Sequence, residues 1–565
     1  MSENRTSKTK ENHSNENNFV LQAGILAAAG IISRIIGLLY RSPLTAVVGT
    51  LGIGYYQVAY SFYTIVLLLS SYSIPSAISK VIAQKLAVKE YRNAHRIFLC
   101  AMGYVIVVGA IASLILFFGA GLFLQDEAAI PVLRTFAPTI FLYGILGVLR
   151  GYFQAHHSMT QTSLSQILEQ IVNAVVSVGA AMLLIQWTMG TMEVPTDEAL
   201  LVERATAGAI GSALGTGAGV LMALLLMAGI YGLNRKTFRK RIARDKHTNV
   251  DSYGEVIKTI TMVVTPFIIS TAVYNLSDVV NSKLYVDIMP QVLGADSTAA
   301  YNDYGIFSGM AQTISKIPIA FATAMASAML PSVAAHVAAK KFDEARSKIG
   351  VAVKSTMIIS IPCAVGLFAL AKPITTLLFP SQSDETLTYA GYLLMALSLS
   401  IVFFALSTLN SSILQGLGRV NVPIVNAAVA LVLQSALVYA LMRYTELDLY
   451  SLVIANTAYS GLMCILNQWA VRRAVNYKQE ILKTFGAPLL ASVFMGGAAW
   501  AIYQGLYLLS ESVVIAVVPA VAVAVILYFV MLLIFRGLTE EELRGFPKGY
   551  LLVKAAKKMH LFQEE

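Results

Sequence analysis

Charge is what this sequence has least of. Lys, Arg, Asp and Glu make up 13% of its 565 residues, against about 25% in a soluble globular protein. Hydrophobic residues make up 57%, and the mean hydropathy is +0.68. So little polar surface excludes an ordinary water-soluble fold. Cysteine is almost as scarce. Cys100, Cys363 and Cys464 lie inside apolar runs and far apart in sequence. That argues against a disulfide framework or a thiolate metal site and leaves small apolar filling as their role. No Gly-x-x-x-x-Gly-Lys-Ser/Thr loop occurs, and no polar segment is long enough to house an ATPase. Any transport would therefore draw on an ion gradient, the membrane potential or the cargo's own gradient. No nucleophile and base share enough loop to build an active site, so the reading is not an enzyme. Residues 1–18 are rich in Asn, Glu, Ser and Lys, unlike a signal peptide, and read as a disordered cytoplasmic tail.

Apolar runs of about twenty residues recur from Phe19 to Phe535. They are too long for membrane strands, so the expected class is an all-α polytopic membrane protein. Fourteen transmembrane helices are expected at 19–42, 55–78, 97–124, 135–153, 164–187, 206–232, 257–281, 304–334, 350–379, 388–412, 423–442, 448–471, 484–508 and 512–535. Basic residues cluster in alternate connections. One side holds Lys80, Lys85, Lys89, Arg92 and Arg96, then RKTFRKRIARDK from Arg235 to Lys246, then Lys340, Lys341, Arg346 and Lys348, then Arg472 and Arg473. The other side holds Arg134, Arg204, Lys283 and Arg443. The positive-inside rule then puts both termini in the cytoplasm of a multi-pass plasma-membrane protein. The same rule accounts for the basic runs, so no nucleic-acid partner is implied.

The chain repeats itself. IPSAISK from Ile74 is followed by EYRNAHR from Glu90; LPSVAAH from Leu330 is followed by KFDEAR from Lys341. Pairing Pro75 with Pro331, Ala94 with Ala345 and Gln154 with Gln415 gives offsets of 256, 251 and 261. A nearly constant offset is a duplication signal. Six helices separate the copies, so both halves keep one orientation about an axis along the membrane normal. The expected organisation is an N-lobe at 19–234 (helices 1–6), a basic cytoplasmic linker at 235–254 and a C-lobe at 255–473 (helices 7–12). Helices 13 and 14 follow at 474–536, then a cytoplasmic tail at 537–565. Two pseudo-symmetric six-helix lobes would enclose a central cavity and work by alternating access.

Against that background the ionisable residues inside the spans stand out. GIISRIIGLLYRSPL carries Arg34 and Arg41 in the first helix, where a central arginine costs about 2.5–3.5 kcal/mol on insertion scales. Seven residues are almost two turns, so both arginines share a face with Gly30 and Gly37. Pro43 is expected to end or kink the helix. The alternative for Arg41 is snorkelling to the surface. Lys80, at the inner end of helix 2, reads equally as a cavity-mouth cation or a loop charge. Lys316 falls near mid-depth of helix 8, two residues before Pro318, and is expected to be a substrate-binding cation of the cavity. Asp278 and Asn275 share a face of helix 7 and suit a Na⁺ or H⁺ site; the alternative is a salt bridge from Asp278 to Lys283 or Arg34. Gln166, Glu169, Gln170 and Asn173 form a polar stripe on helix 5, with Glu169 also suited to the helix dipole. Gly211, Gly215 and Gly219 repeat every four residues, a helix-packing pattern. His156 and His157 have no third ligand in sequence. Cations outnumber anions in this set, and phosphate or diphosphate best repays burying arginine. A lipid-linked phosphate headgroup is the implied cargo.

GIISRIIGLLYR resembles the first helix of MurJ-type flippases. SIPSAISK and RGYFQAHHSMTQTSLSQILEQIVN (Arg150 to Asn173) resemble the Gram-positive YtgP/SpoVB-like branch of the polysaccharide-biosynthesis flippases, as do ILQGLGRVNVPIVN and LTEEELRGFPKG. The resemblance runs from about Phe19 to about Lys554. It places the chain beside the multidrug/oligosaccharidyl-lipid/polysaccharide (MOP) exporter superfamily. It implies an undecaprenyl-diphosphate-linked saccharide as cargo, lipid II for the MurJ-type members, and peptidoglycan synthesis with its cell-wall machinery as setting. It also implies substrate-binding roles for Arg34 and Arg41, and by position for Lys80. Thr313 stands where the family's helix 8 has arginine, and Lys316 where it has glutamate. Arg419 replaces an acid of helix 11, so the family's sodium site would be incomplete even though Asp278 fits its helix 7 part. No cofactor is implied beyond Na⁺ or H⁺ as coupling ion. The competing reading is a cation-coupled multidrug or metabolite exporter, which would want acids where helix 1 has arginines.

Overall fold

The computed structural model describes residues 25, 28–72, 74–156, 158–245, 251–294, 296–538 and 540. The tails expected at 1–18 and 537–565 lie outside the described residues, apart from 537, 538 and 540. Among the described residues the chain is helical, without strands. Eleven helices among the described residues are long and apolar enough to cross a membrane. The expected spans 19–42, 257–281 and 304–334 fall on three helices outside those eleven: α1 (Ala28–Leu39), α9 (Tyr253–Leu293) and α11 (Gln312–Ala338).

The first hairpin differs from the expected pattern. Residues 43–54, read as a connection, are helical: α1 stops at a turn on Tyr40, and α2 runs Arg41–Leu67. Pro43 explains the turn, because it has no amide for the Leu39 carbonyl. Helical bonds resume on either side, Tyr40 N to Ile36 O at 3.1 Å and Leu44 N to Tyr40 O at 3.0 Å. The reversal comes later, at Gly49 (φ 78°, ψ 167°), a left-handed conformation that glycine tolerates best. A π turn at Leu68–Tyr72 separates α2 from α3 (Ile74–Ala87).

Two compact units follow, Met1–Gly305 and Ile306–Glu565. The first contains α1 to α3, α4 (Tyr91–Phe118), the short α5 (Ala120–Phe123), α6 (Ala129–Ala155), α7 (Met159–Met189), α8 (Glu198–Ala243), α9 and α10 (Ser297–Gly305). Its tightest seam joins α7 to α8. A side chain on Gly211, Gly215 or Gly219 would meet Ala181, Ser177 or the Glu169 carbonyl at 2.1–2.5 Å. In lipid such close approach, rather than apolar burial, holds helices together. The sequence puts α9 and α10 in the second lobe, yet they pack on α2. The Thr50 hydroxyl donates to Asn302 Oδ1 at 2.6 Å, and a side chain on Gly54 would clash with the Tyr301 carbonyl. The unit boundary therefore falls 50 residues or more past the expected linker at 235–254.

The second unit contains α11, α12 (Phe342–Ala369), α13 (Ala371–Leu378), α14 (Asp384–Gly416), α15 (Asn421–Tyr444), α16 (Leu449–Val475), α17 (Ala487–Ser510) and α18 (Val513–Ile534). The expected span 350–379 is broken at Leu370 into α12 and α13. A buried amide ladder ties the centre. Asn410 Nδ2 donates to Gln468 Oε1 at 2.9 Å, Asn467 Nδ2 to Ser411 Oγ at 2.9 Å and Asn426 Nδ2 to Asn467 Oδ1 at 2.9 Å. The Tyr528 hydroxyl anchors α18 on the Ile358 carbonyl of α12 at 2.6 Å.

The duplication is visible in local backbone. Lys89 (φ 64°) and Lys340 (φ 58°) occupy the same turn, 251 residues apart. In each copy the next amide, Glu90 or Lys341, bonds the carbonyl five residues back, Lys85 or His336, at 2.9 Å. Ala94 and Ala345 follow, both buried.

Candidate anion site

Arg41 opens α2 immediately after the Tyr40 turn. Its Nη2 donates to Gln57 Oε1 at 3.2 Å, and the guanidinium carbon lies 5.4 Å from the Tyr56 ring centroid and 6.0 Å from that of Tyr40. The Gly49 reversal brings Gln57 and Tyr56 back alongside Arg41. Tyr56 is itself placed by Thr216 of α8 (3.4 Å between hydroxyls) and by Phe136 of α6 (5.5 Å between centroids). Nη1 of Arg41 is buried without a hydrogen-bond partner, and Arg41 takes part in no ion pair among the described residues. An amide and aromatic faces attract a guanidinium but do not neutralise it. The site is a half-buried cation whose buried Nη1 keeps its donor capacity unspent.

Arg34 is exposed on α1. The same helix turns Gly37 toward α7, where an added side chain would come 3.8 Å from Gln170 Oε1. The α7 stripe divides by function. Gln166 and Gln170 are half-buried. Asn173 accepts from Ser177 Oγ at 2.9 Å within the α7–α8 seam. Glu169 pairs with Arg150 of α6, Nη2 to Oε2 at 2.7 Å, with 6% and 15% of the two side chains exposed. Arg150 Nε also donates to Ser165 Oγ at 2.9 Å. Glu169 is thus one half of a structural clamp across the α6–α7 elbow.

Lys80 is exposed on α3, and Lys316 is exposed on α11 in the second unit. Asp278 and Asn275 are half-buried on α9. Asp278 lies within electrostatic reach of Tyr304, whose hydroxyl is hydrogen-bonded to Ser282. The salt bridge considered between Asp278 and Lys283 is not made. Lys283 pairs with Asp287 at 3.1 Å, one turn on, and donates to the Phe123 carbonyl at 3.0 Å. His156 packs against Tyr152 and Phe238, at 4.5 and 5.2 Å between centroids. His157 lies outside the described residues.

Sequence reasoning missed three residues. Gln57 and Arg150 carried no signal, because each meets its partner across a reversal of the chain. Arg204, read as an outer-loop charge, is 5% exposed within α8. It donates to the Val47 carbonyl at 3.0 Å, capping the helix that ends at Gly49.

A bundle of long apolar helices defines a polytopic membrane protein. The family model for Lipid II flippase MurJ matches residues 69–523, and the chain belongs to that family. It is 24% identical to the Lipid II flippase MurJ of Bacillus subtilis (strain 168), over 89% of this chain and 93% of that protein. It is equally 24% identical to Stage V sporulation protein B of the same organism, over 94% of this chain and 98% of that one. Among solved structures, a lipid II flippase MurJ in an inward closed conformation is 14% identical with a TM-score of 0.61, covering 90% of this chain and 97% of that one. An inward-facing multidrug resistance MATE transporter is 17% identical with a TM-score of 0.65, covering 78% and 94%. The fold is that of the MOP superfamily.

Proposed function

We propose that this chain is a flippase for an undecaprenyl-diphosphate-linked saccharide, lipid II foremost. It would move the cargo from the inner to the outer face of the cytoplasmic membrane by alternating access, for peptidoglycan synthesis. The observation that carries the reading is Arg41, a half-buried arginine with no carboxylate beside it and one buried nitrogen unpartnered. A diphosphate supplies the missing acceptors and charge, and bidentate binding to arginine is its strongest form. Arg34, Lys80 and Lys316 would serve the same anion along its path, with Gln166 and Gln170 meeting its polar parts. Asp278 and Asn275 would couple transport to Na⁺ or H⁺. Both termini would face the cytoplasm, where the cell-wall synthesis machinery delivers the cargo. A second reading, a flippase for another lipid-linked saccharide, is favoured by the equal similarity to Stage V sporulation protein B. A cation exporter fits Arg41 poorly, because a half-buried positive charge repels cationic cargo.

The test is depletion of the protein in its host, with lipid-linked precursors quantified on each membrane face. Accumulation of lipid II on the inner face is the expected result. Accumulation of a different undecaprenyl-linked glycan selects the second reading, and unchanged distribution of every such precursor overturns both.

A further inference from the structure

The far end of α8 has no part in the anion site, and it carries a dense run of exposed cations. Exposed apolar side chains run along the helix as far as Leu233, where a lipid-facing stretch would end. Arg235, Lys236, Arg239, Lys240, Arg241 and Arg244 follow, at the helix end and its cap; all six are exposed, and none forms an ion pair among the described residues. At 100° per residue these cations spread around about two-thirds of the helix circumference. The remaining sector holds Phe238, Ile242 and Asp245. Phe238 packs on Tyr152, His156 and Tyr231, at 5.1, 5.2 and 5.8 Å between centroids. Asp245, the only acid of the run, is 7% exposed and accepts from the Arg92 amide at 2.8 Å. The helix end is thus held by its apolar side, with its acid turned inward. Its positive charge is left uncompensated within about 14 Å of axial length.

A basic connection of the second unit, at 336–348, is built differently. Its Lys341 pairs with Glu344 at 2.9 Å, its Arg346 with Asp343 at 3.1 Å, and His336 lies 3.3 Å from Glu344. That connection pairs two of its four Lys and Arg side chains with its own acids, whereas the end of α8 pairs none among the described residues.

We propose that the docked, uncompensated basic end of α8 is a binding surface for the headgroups of anionic phospholipids in the adjacent leaflet. The continuity of α8 with its lipid-facing stretch puts the cations at headgroup depth. A cluster of four to eight Lys or Arg at that position is attracted to anionic lipid. Phe238, packed among Tyr152, His156 and Tyr231, holds the helix end, so little ordering is needed on binding.

The test uses the full chain purified in detergent, with retained lipid counted by native mass spectrometry after adding phosphatidylglycerol or phosphatidylcholine. Wild type should retain phosphatidylglycerol in preference. The variant Arg235→Gln/Lys236→Gln/Arg239→Gln/Lys240→Gln should lose that retention by about fivefold or more. A control that removes as many charges, Lys340→Gln/Lys341→Gln/Arg346→Gln/Lys348→Gln, should keep it. Equal retention by both variants, or no preference for phosphatidylglycerol in wild type, overturns the proposal and leaves a soluble acidic protein as the candidate partner of the patch. If the first variant is unstable, wild type in high salt decides: phosphatidylglycerol retention must fall while phosphatidylcholine retention does not. Neither readout involves cargo movement, so a negative precursor assay leaves this result standing.

Discussion

Arg150 and Arg41 are arginines of the same unit, each drawn in among helices, and what faces them differs. Arg150 meets a carboxylate, Glu169, and a hydroxyl, Ser165, at 2.7 and 2.9 Å. Arg41 meets an amide and two aromatic rings, and keeps one nitrogen without a partner. The first arrangement is closed: charge and donors are satisfied inside the protein. The second is open, and it persists only because the surrounding fold holds it. Arg204 stands between the two: it has no carboxylate partner and its Nε is unpartnered, yet it donates to the Val47 carbonyl.

Glu169→Ala should break the comparison most severely, turning Arg150 into an unpaired buried charge. Removing one partner of a buried pair costs about 3–5 kcal/mol, so a large fall in thermal unfolding temperature and in folded yield is expected. Arg41→Ala removes a charge that no carboxylate compensates. It should leave the folded yield near wild type while complementation of a flippase-depleted host is lost; full complementation by this variant would sink the anion-site reading. Gly215→Ala forces the α7–α8 seam apart at Ser177, where the added carbon would lie 2.1 Å from Oγ. A destabilisation of about 1–3 kcal/mol is expected, read by thermal unfolding. Replacing the whole clamp, Arg150→Met with Glu169→Leu, should cost far less than Glu169→Ala alone, because no charge is left stranded. The smallest effect is expected from Asp278→Asn. Its stability should be nearly unchanged, and the Na⁺ or pH dependence of transport should shift; an unaltered response to both would leave Asp278 a structural residue.

Much of the fold was legible because hydropathy dictates it. Apolar runs of spanning length and the small-residue stripe of Gly211, Gly215 and Gly219 are each local patterns with one physical solution. The first hairpin was misread because Pro43, Gly49, Gly52 and Gly54 look like a loop. Pro43 sits in a first helical turn, where a missing amide costs little, and Gly52 and Gly54 serve close packing against Ala205 and Tyr301. Only Gly49 reverses the chain. At the site, Arg41 was legible as an arginine in an apolar run. Whether such a charge is paired depends on chain reversals that sequence spacing does not reveal. The same holds for Glu169, whose partner stands 19 residues earlier across an elbow, and for Arg204, whose depth follows from the start of α8 at Glu198.

α8 is 46 residues long without an internal proline, about 69 Å at the usual rise, more than twice the thickness of a bilayer core. Arg204 near one end grips the carbonyl of Val47 beside the Gly49 reversal. Phe238 near the other end sits in the aromatic nest of α6. The two grips are about 51 Å apart along one unbroken rod. Mechanically this is a lever. A tilt of about 5° about its middle would move the two tips in opposite directions by about 3 Å each, given that length. With a leaflet bound at one tip as proposed, that leaflet and the hairpin that carries Arg41 would share one unbroken element.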